Sequence, residues 1–549
     1  MPTINFSFKD LQNLLGRKIK IEDLPGLLSF CKAELEHYDK NEDSVTVGLQ
    51  DTNLPYLWSV EGIARLLKGV LGIERGMPVI KIKKGDYVVN VDKSIKNIRP
   101  YLFALVAKGR KLDDYFLKQL IQLQEKVCEN FGRRRKTISI GIYSYKNVQF
   151  PVFYKAVDPK SVKFIPLEFS ERLDLNQILQ KHPKGKEYAW ILEGFERYPI
   201  FMDSKNEVLS FPPIINSDFL GKVLEGDTDI FIEVTGTNFE MTRLANNIFA
   251  HSLNERGFDV YSVTVNYPGR KVVSPDNNFG KMKISGKNVE KLLGILPSEK
   301  EMKTHLERAR YDYGRGIAKI PSYRRDILHW VDVAEDFAIM YDYKKIAPLQ
   351  LSTYTVGKTF EVVGFADRLR ELLVGLGYQE VSSPILNSKQ MLAGNMCSDQ
   401  KEIVEIENPM SESFSAVRNW LTPLMLGVFG KNKHVEYPQR IFEQGIVTVK
   451  NKDVLDHESL ACASCHKTAG FTESKQALDT ILRHAGISCE IKSSQHPSFI
   501  EGRIGRIFVG GKEVGIIGEL SPEVLVNFEI PYPVAGFEIN LTALLKLLK

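Results

Sequence analysis

The spacing of apolar positions changes character several times along the chain, and each change predicts an element. After Pro55, the residues Leu57, Val60, Ala64, Leu67 and Leu71 recur at helical spacing, and Gly72 provides the stop. Upstream, "SVTVGL" alternates as a strand, while "KDLQNLLGR" and "LPGLLSFCKAELEHY" read as short helices, so residues 1–84 form a small α+β module. Residues 85–270 carry a helix over "LDDYFLKQLIQLQEKVCENFG", strands over "TISIGIYSY" and "DIFIEVTGT", and a helix over "NFEMTRLANNIFAHSLNERG" before the turn "NYPGRKVVSPDNN". Residues 271–348 make a compact third unit ending in a helix with an apolar stripe of Val333, Phe337 and Met340. In residues 349–549 helices such as "EVVGFADRLRELLVGLG" alternate with strands such as "QRIFEQGIVTV", "GRIGRIFVGGKEVGIIGEL" and "VAGFEINL", the pattern of an antiparallel sheet flanked by helices. The fold class is multidomain α+β, without internal repeats or low-complexity segments.

Composition narrows the function classes. At 549 residues and 43% hydrophobic content the chain can bury several cores, and a net charge of only +5 confines any nucleic-acid contact to local faces. The N-terminus lacks a basic-then-apolar signal pattern, and no apolar run approaches the roughly 18 residues that span a bilayer, so a soluble, cytoplasmic protein without membrane contact is expected. The six dispersed cysteines fit a reducing compartment. "CASCH", Cys462–His466, has the spacing of a haem-attachment motif, but it lies in the alternating stretch "HESLACAS" and has no second Cys/His pair at finger-like distance, so both cysteines are expected to be small strand residues.

Two charged stretches stand out. In "DILHWVDVAED", helical spacing puts Asp332, Glu335 and Asp336 on one face, with Asp326 just upstream. Such a cluster repels itself unless arginine and lysine or a hard cation sits against it. Spacing does not choose between these, although Arg324, Arg325, Lys344 and Lys345 nearby favour ion pairs. The run Arg133–Lys136 is either a solvated helix-to-strand junction or a phosphate contact.

Seven stretches taken in order carry a family resemblance: "DTNLPYLWSVEGIAR", "LQEKVCENFGRRRKTISIGIY", "SFPPIINS", "PSYRRDILHWVDVAEDFAIMYDY", "ENPMSESFSAVRNWLTPLML", "RIFEQG" and "IGELSPEVL". Together they resemble the β subunit of phenylalanyl-tRNA synthetase in its shorter archaeal/eukaryotic form, across essentially the whole chain. One departure lies in the first module, where the family commonly has Asn-Arg-Pro-Asp and this chain has Asn53-Leu54-Pro55-Tyr56.

The resemblance implies a B1-like module (1–84), a B3/B4-type editing domain (85–270), a B5-type module (271–348) and a class II synthetase-like domain (349–549). It implies Mg²⁺ ligands at Asp326, Asp332, Glu335 and Asp336, shared with an α subunit in an assembly of two α and two β chains. It also implies ATP as a substrate of the holoenzyme and tRNA(Phe) as a partner. In the editing domain, Glu233 would accept a tyrosine hydroxyl where the family more often has Asp, Phe201 would line the ring pocket, and Ser210, Asn216 and Thr235 would hold backbone, ester or water. A working class II site needs a late arginine on its glycine-rich strand-helix turn, and Val514–Leu525 has none; Arg440 and Glu443 alone leave the constellation incomplete. The expected chain is therefore non-catalytic for aminoacylation and active in editing. The alternative is a stand-alone nucleic-acid-binding or regulatory protein that reuses these modules.

Overall fold

The computed structural model describes residues 2–399 and 402–548, which fold as two compact units, 1–349 and 350–549. The helix predicted after Pro55 runs Val60–Val70, with Ser59 capping it by accepting from the Gly62 amide and with Gly72 at φ 70° just beyond its end. Its neighbour departs from expectation. "LPGLLSFCKAELEHY" is helical only over Leu24–Ser29, and Ala33–Asp39 is a strand antiparallel to Ser44–Leu49. Lys32, at φ 51°, breaks the helix, and beyond it the residues pair along the neighbouring strand, so tertiary pairing overrides a weak helical pattern.

The first unit is built on a ten-stranded, mostly antiparallel sheet. Its order is Ile215–Asn216, Val208–Phe211, Tyr198–Met202, Val152–Val157, Lys83–Val91, Asp259–Tyr267, Tyr101–Lys108, Ile230–Gly236 and Ile138–Ser144, with Arg270–Ser274 added alongside Asp259–Tyr267. The strand Ile230–Gly236 is buried at every position, between Tyr101–Lys108 and Ile138–Ser144. Helix Phe239–Glu255 packs on it and supplies Leu244, Ile248 and Phe249 to a core that runs continuously from Ile4 to Met340. The sheet curls, because Tyr143 on one terminal strand hydrogen-bonds Ser210, and Asn216 near the opposite end donates to the Ile142 carbonyl at 3.4 Å. This closure brings distant segments to one cavity. Residues Gly280–Ile320 add a three-stranded sheet, and helix Trp330–Tyr341 buries Val333, Phe337 and Met340, the predicted stripe.

In the second unit seven strands run in the order Gln379–Glu380, Gln439–Lys450, Val454–Cys465, Val534–Asn540, Lys512–Leu520, Phe499–Val509 and Glu490–Ser493, and only the first pairing is parallel. Helices Glu361–Gly375, Phe471–His484 and Leu541–Leu547 cover one face, and Thr422–Lys431 covers the other. Cys462 belongs to the first of these cores and Cys465 to the second. An odd offset along a strand sends the two thiols to opposite faces, so they cannot ligate one metal or receive one haem.

Candidate functional site

Glu233 sits at the middle of the buried strand and is 2% exposed. The Tyr143 hydroxyl donates to its Oε1 at 2.8 Å and lies 2.8 Å from Ser210 Oγ. Oε2 is buried without a hydrogen-bond partner. A buried acceptor left open in this way costs stability unless something fills it. Glu233 also lines a cavity of about 270 Å³, together with Ser210, Asn216, Gly141, Arg135 and the Phe211–Ile215 segment. That volume lies near the lower end of small-ligand pockets, roughly 300–1,000 Å³.

Gly141 makes this arrangement possible. It stands opposite Glu233 in the strand ladder, and a Cβ there would come within 2.1 Å of the Tyr143 hydroxyl and 2.6 Å of Glu233 Oε1. A larger residue would expel the carboxylate, the phenol or both.

Burial pushes the Glu233 carboxyl up to about 7, against the opposing pull of the Tyr143 hydrogen bond and the Arg99 charge. The folded chain therefore binds this proton more tightly than the unfolded chain, whose carboxyl titrates near 4.5. Its contribution is fully present below pH 4.5 and is lost as pH rises through 7, a change of about 2.5 kcal/mol between pH 5 and pH 8. Denaturant titrations at those two pH values should show this slope in the wild type and not in Glu233→Gln.

Three of the five expected editing residues, Ser210, Asn216 and Glu233, meet at the cavity. Phe201 and Thr235 do not line it. Phe201, opposite Ser210 on the neighbouring strand, stacks on Phe231 with ring centroids 6.0 Å apart and underlies Tyr143, since the curl of the sheet turns this face into core. Thr235 lies two residues from Glu233, but the Arg99 guanidinium covers it, donating to Thr235 Oγ1 at 3.1 Å, to its carbonyl at 2.8 Å and to Ser139 Oγ at 3.1 Å. Both side chains shape the wall from behind.

The four acidic residues of 326–336 are not gathered into one site. Arg324, buried, donates through Nε to Asp326 Oδ1 at 3.1 Å and through Nη1 to Asp336 Oδ2 at 2.6 Å, and Tyr311 also donates to Asp336. Asp332 accepts the Leu328 and His329 amides, both at 2.7 Å, reaching back from the first turn in a capping box with the N-cap residue His329. Glu335 pairs with Lys32 at 2.9 Å. Among the described residues no group of three or more His, Cys, Asp or Glu side chains is placed to hold a metal ion. Each carboxylate already has a protein donor, so these residues do not fit a Mg²⁺ held by this chain alone.

In the second unit Arg440 donates to Glu473 at 2.8 Å, and Glu443, 1% exposed, is clamped by Arg418 at 2.6 Å. A cleft of about 590 Å³ on this sheet includes Glu402, Glu513 and Glu538 against Arg506, which is itself tied to Glu513 at 3.0 Å.

Comparison with known proteins places the fold in a class. The tRNA synthetase B5 domain model matches residues 282–343, and the phenylalanyl tRNA synthetase beta chain CLM domain model matches 350–541, so this is a mixed α/β, multidomain aminoacyl-tRNA synthetase subunit. The chain is 40% identical to the phenylalanine–tRNA ligase beta subunit of Pyrococcus furiosus, over 99% of this chain and 100% of that protein. It is 37% identical to the one from Methanosarcina acetivorans, over 99% of each chain. A crystal structure of an N-terminal fragment of the Pyrococcus horikoshii phenylalanyl-tRNA synthetase beta-subunit covers 62% of this chain and 99% of the fragment, with 39% identity and a TM-score of 0.60. The chain belongs to the phenylalanine–tRNA ligase beta-subunit family. The stand-alone binder is accordingly not the favoured reading.

Proposed function

We propose that this chain works with a separate α chain that adenylates phenylalanine and transfers it to tRNA(Phe), and that its own Glu233 cavity hydrolyses tyrosine wrongly attached to that tRNA. The observation that carries this reading is Glu233, a lining residue of the cavity whose buried Oε2 has no hydrogen-bond partner. A pocket built for a phenyl ring rejects an added hydroxyl only weakly, by about a hundredfold, so a second site that selects for the hydroxyl is valuable. Tyrosine satisfies Oε2 with its phenolic O–H, whereas phenylalanine leaves the acceptor unpaired at a cost of about 1–3 kcal/mol. Ser210 and Asn216, on the cavity wall, orient the ester and the attacking water.

In this reading residues 1–84 are a B1-like module, 85–270 the editing domain, 271–348 the B5-type module and 349–549 a class II-like scaffold. The assembly is two α and two β chains in the cytoplasm, and no helix among the described residues is long and apolar enough to cross a membrane. ATP is used at the α site, and a Mg²⁺ at Asp326, Asp332, Glu335 and Asp336 would be shared with the α chain, since in this chain alone Arg324, Lys32 and backbone amides already satisfy these carboxylates.

Purified alone, the chain should give no phenylalanine-dependent ATP–pyrophosphate exchange, and co-expression with the α chain should restore it. The assembled complex should deacylate Tyr-tRNA(Phe) faster than Phe-tRNA(Phe). Exchange by the isolated chain, or equal deacylation of both esters, would refute the corresponding half of the assignment.

A further inference from the structure

The cationic turn Arg133–Lys136 follows a π-helical turn, Val127–Phe131, that continues the helix Asp114–Lys126. Arg133, Arg134 and Arg135 take φ values of 52°, 53° and 64°. Three successive left-handed residues are a place where glycine or asparagine costs least, so arginine at all three points to a use for the side chains. The backbone needs are met locally, since the Arg134 and Arg135 amides donate to the Glu129 and Cys128 carbonyls at 2.8 and 3.0 Å.

The side chains divide in two directions. Arg135 lines the Glu233 cavity, packs 4.3 Å from the Tyr188 ring centroid and donates to the Ile214 carbonyl at 3.0 Å. Arg133, Arg134 and Lys136 are exposed and form no ion pair among the described residues. Beside them the Trp190 indole is 40% exposed, with Arg134 Cζ 6.0 Å and Lys136 Nζ 5.9 Å from its ring centroid.

We propose that Arg133, Arg134, Lys136 and Trp190 form a platform for the single-stranded 3′ end of the tRNA whose ester enters the Glu233 cavity. Cations neutralise phosphates, and an exposed indole stacks a base whatever its identity, the combination that holds single-stranded nucleic acid. A helix C-terminus by itself explains cations nearby, but not an exposed indole among them. An acidic protein segment would use the cations and be indifferent to the ring. The platform rests on the editing reading for what it delivers; its affinity for RNA is measurable independently.

The test uses the assembled complex, with Tyr-tRNA(Phe) and tyrosine ethyl ester as substrates. Arg134→Gln/Lys136→Gln should raise KM for Tyr-tRNA(Phe) about tenfold, leave kcat within about twofold, and flatten the dependence of log KM on log salt by about 1.4, or ~0.7 for each lost contact. Trp190→Ala should raise KM about tenfold without changing the salt slope, and Trp190→Phe should restore it. Hydrolysis of the ethyl ester and phenylalanylation should be unchanged in every variant. Unaltered KM and salt slope in both variants overturn the platform. If the wild type hydrolyses neither ester, the cavity assignment fails instead; equilibrium binding of a 5′-labelled RNA ending in CCA then decides, with weaker binding by the variants supporting the platform and equal binding overturning it.

Discussion

Replacing Glu233 by alanine should cut the preference of the complex for Tyr-tRNA(Phe) over Phe-tRNA(Phe) in deacylation by about ten- to a hundredfold. The loss follows from removing one hydrogen bond to an ionisable acceptor, worth roughly 1.5–3 kcal/mol in a buried site. Synthesis at the α site should continue at its normal rate. Ser210→Ala should lower deacylation of both esters while keeping most of the preference, because its hydroxyl serves the ester and water rather than the phenol. The effect of Glu233 should also carry a pH signature. The carboxyl titrates at about 7, so its ionised, purely accepting form becomes dominant only above that value. The tyrosine preference of the wild type should therefore rise between pH 6 and pH 8, and Tyr143→Phe, which removes the donor that favours the ionised form, should move that rise to higher pH. Wild-type preference in Glu233→Ala would place the hydroxyl acceptor on another residue.

Much of the architecture was legible because long, strongly periodic segments keep their period in three dimensions. The helices at Val60–Val70, Phe239–Glu255 and Glu361–Gly375 and the strands at Gln439–Lys450 and Val534–Asn540 lie where apolar spacing put them. Ala33–Asp39 was misread because its pairing partner, not its own pattern, decides its conformation. At the site, the family resemblance points to Glu233, Ser210 and Asn216, which line the cavity, and to Phe201 and Thr235, which lie behind its lining. That distinction depends on how the sheet curls, which strand alternation does not encode. Tyr143, Arg99 and Arg418 were missed, since a tyrosine or arginine in a buried strand or at its edge gives no sequence signal of what it bonds to. Gly141 did give one. A glycine inside the strand pattern "TISIGIYSY" marks a close approach, here that of the Tyr143 hydroxyl and the Glu233 carboxylate.

The acidic helix separates two physical accounts of the same four carboxylates. Arg324 is 7% exposed and is the shared counter-charge of Asp326 and Asp336, with Tyr311 adding a hydrogen bond to the latter. Burial alone would push Asp336 toward its neutral form, and the Arg324 charge opposes that. Arg324→Met keeps much of the side-chain length and leaves two largely buried carboxylates without a cation, so the first unit should lose about 3–5 kcal/mol of stability. Because burial already pushes Asp336 toward its neutral form, its carboxyl can then escape desolvation by taking up a proton, and the deficit should shrink as pH falls toward 4. By contrast, Asp332→Asn keeps a capping side chain and Glu335→Gln removes an exposed ion pair, so each should cost less than about 1 kcal/mol. Thermal unfolding of the isolated chain should be indifferent to millimolar Mg²⁺ or to EDTA. A Mg²⁺-dependent rise in its melting temperature that disappears in Asp332→Asn/Glu335→Gln would show instead that the helix binds the ion without help, and the ion-paired account of Asp326–Asp336 would have to be abandoned.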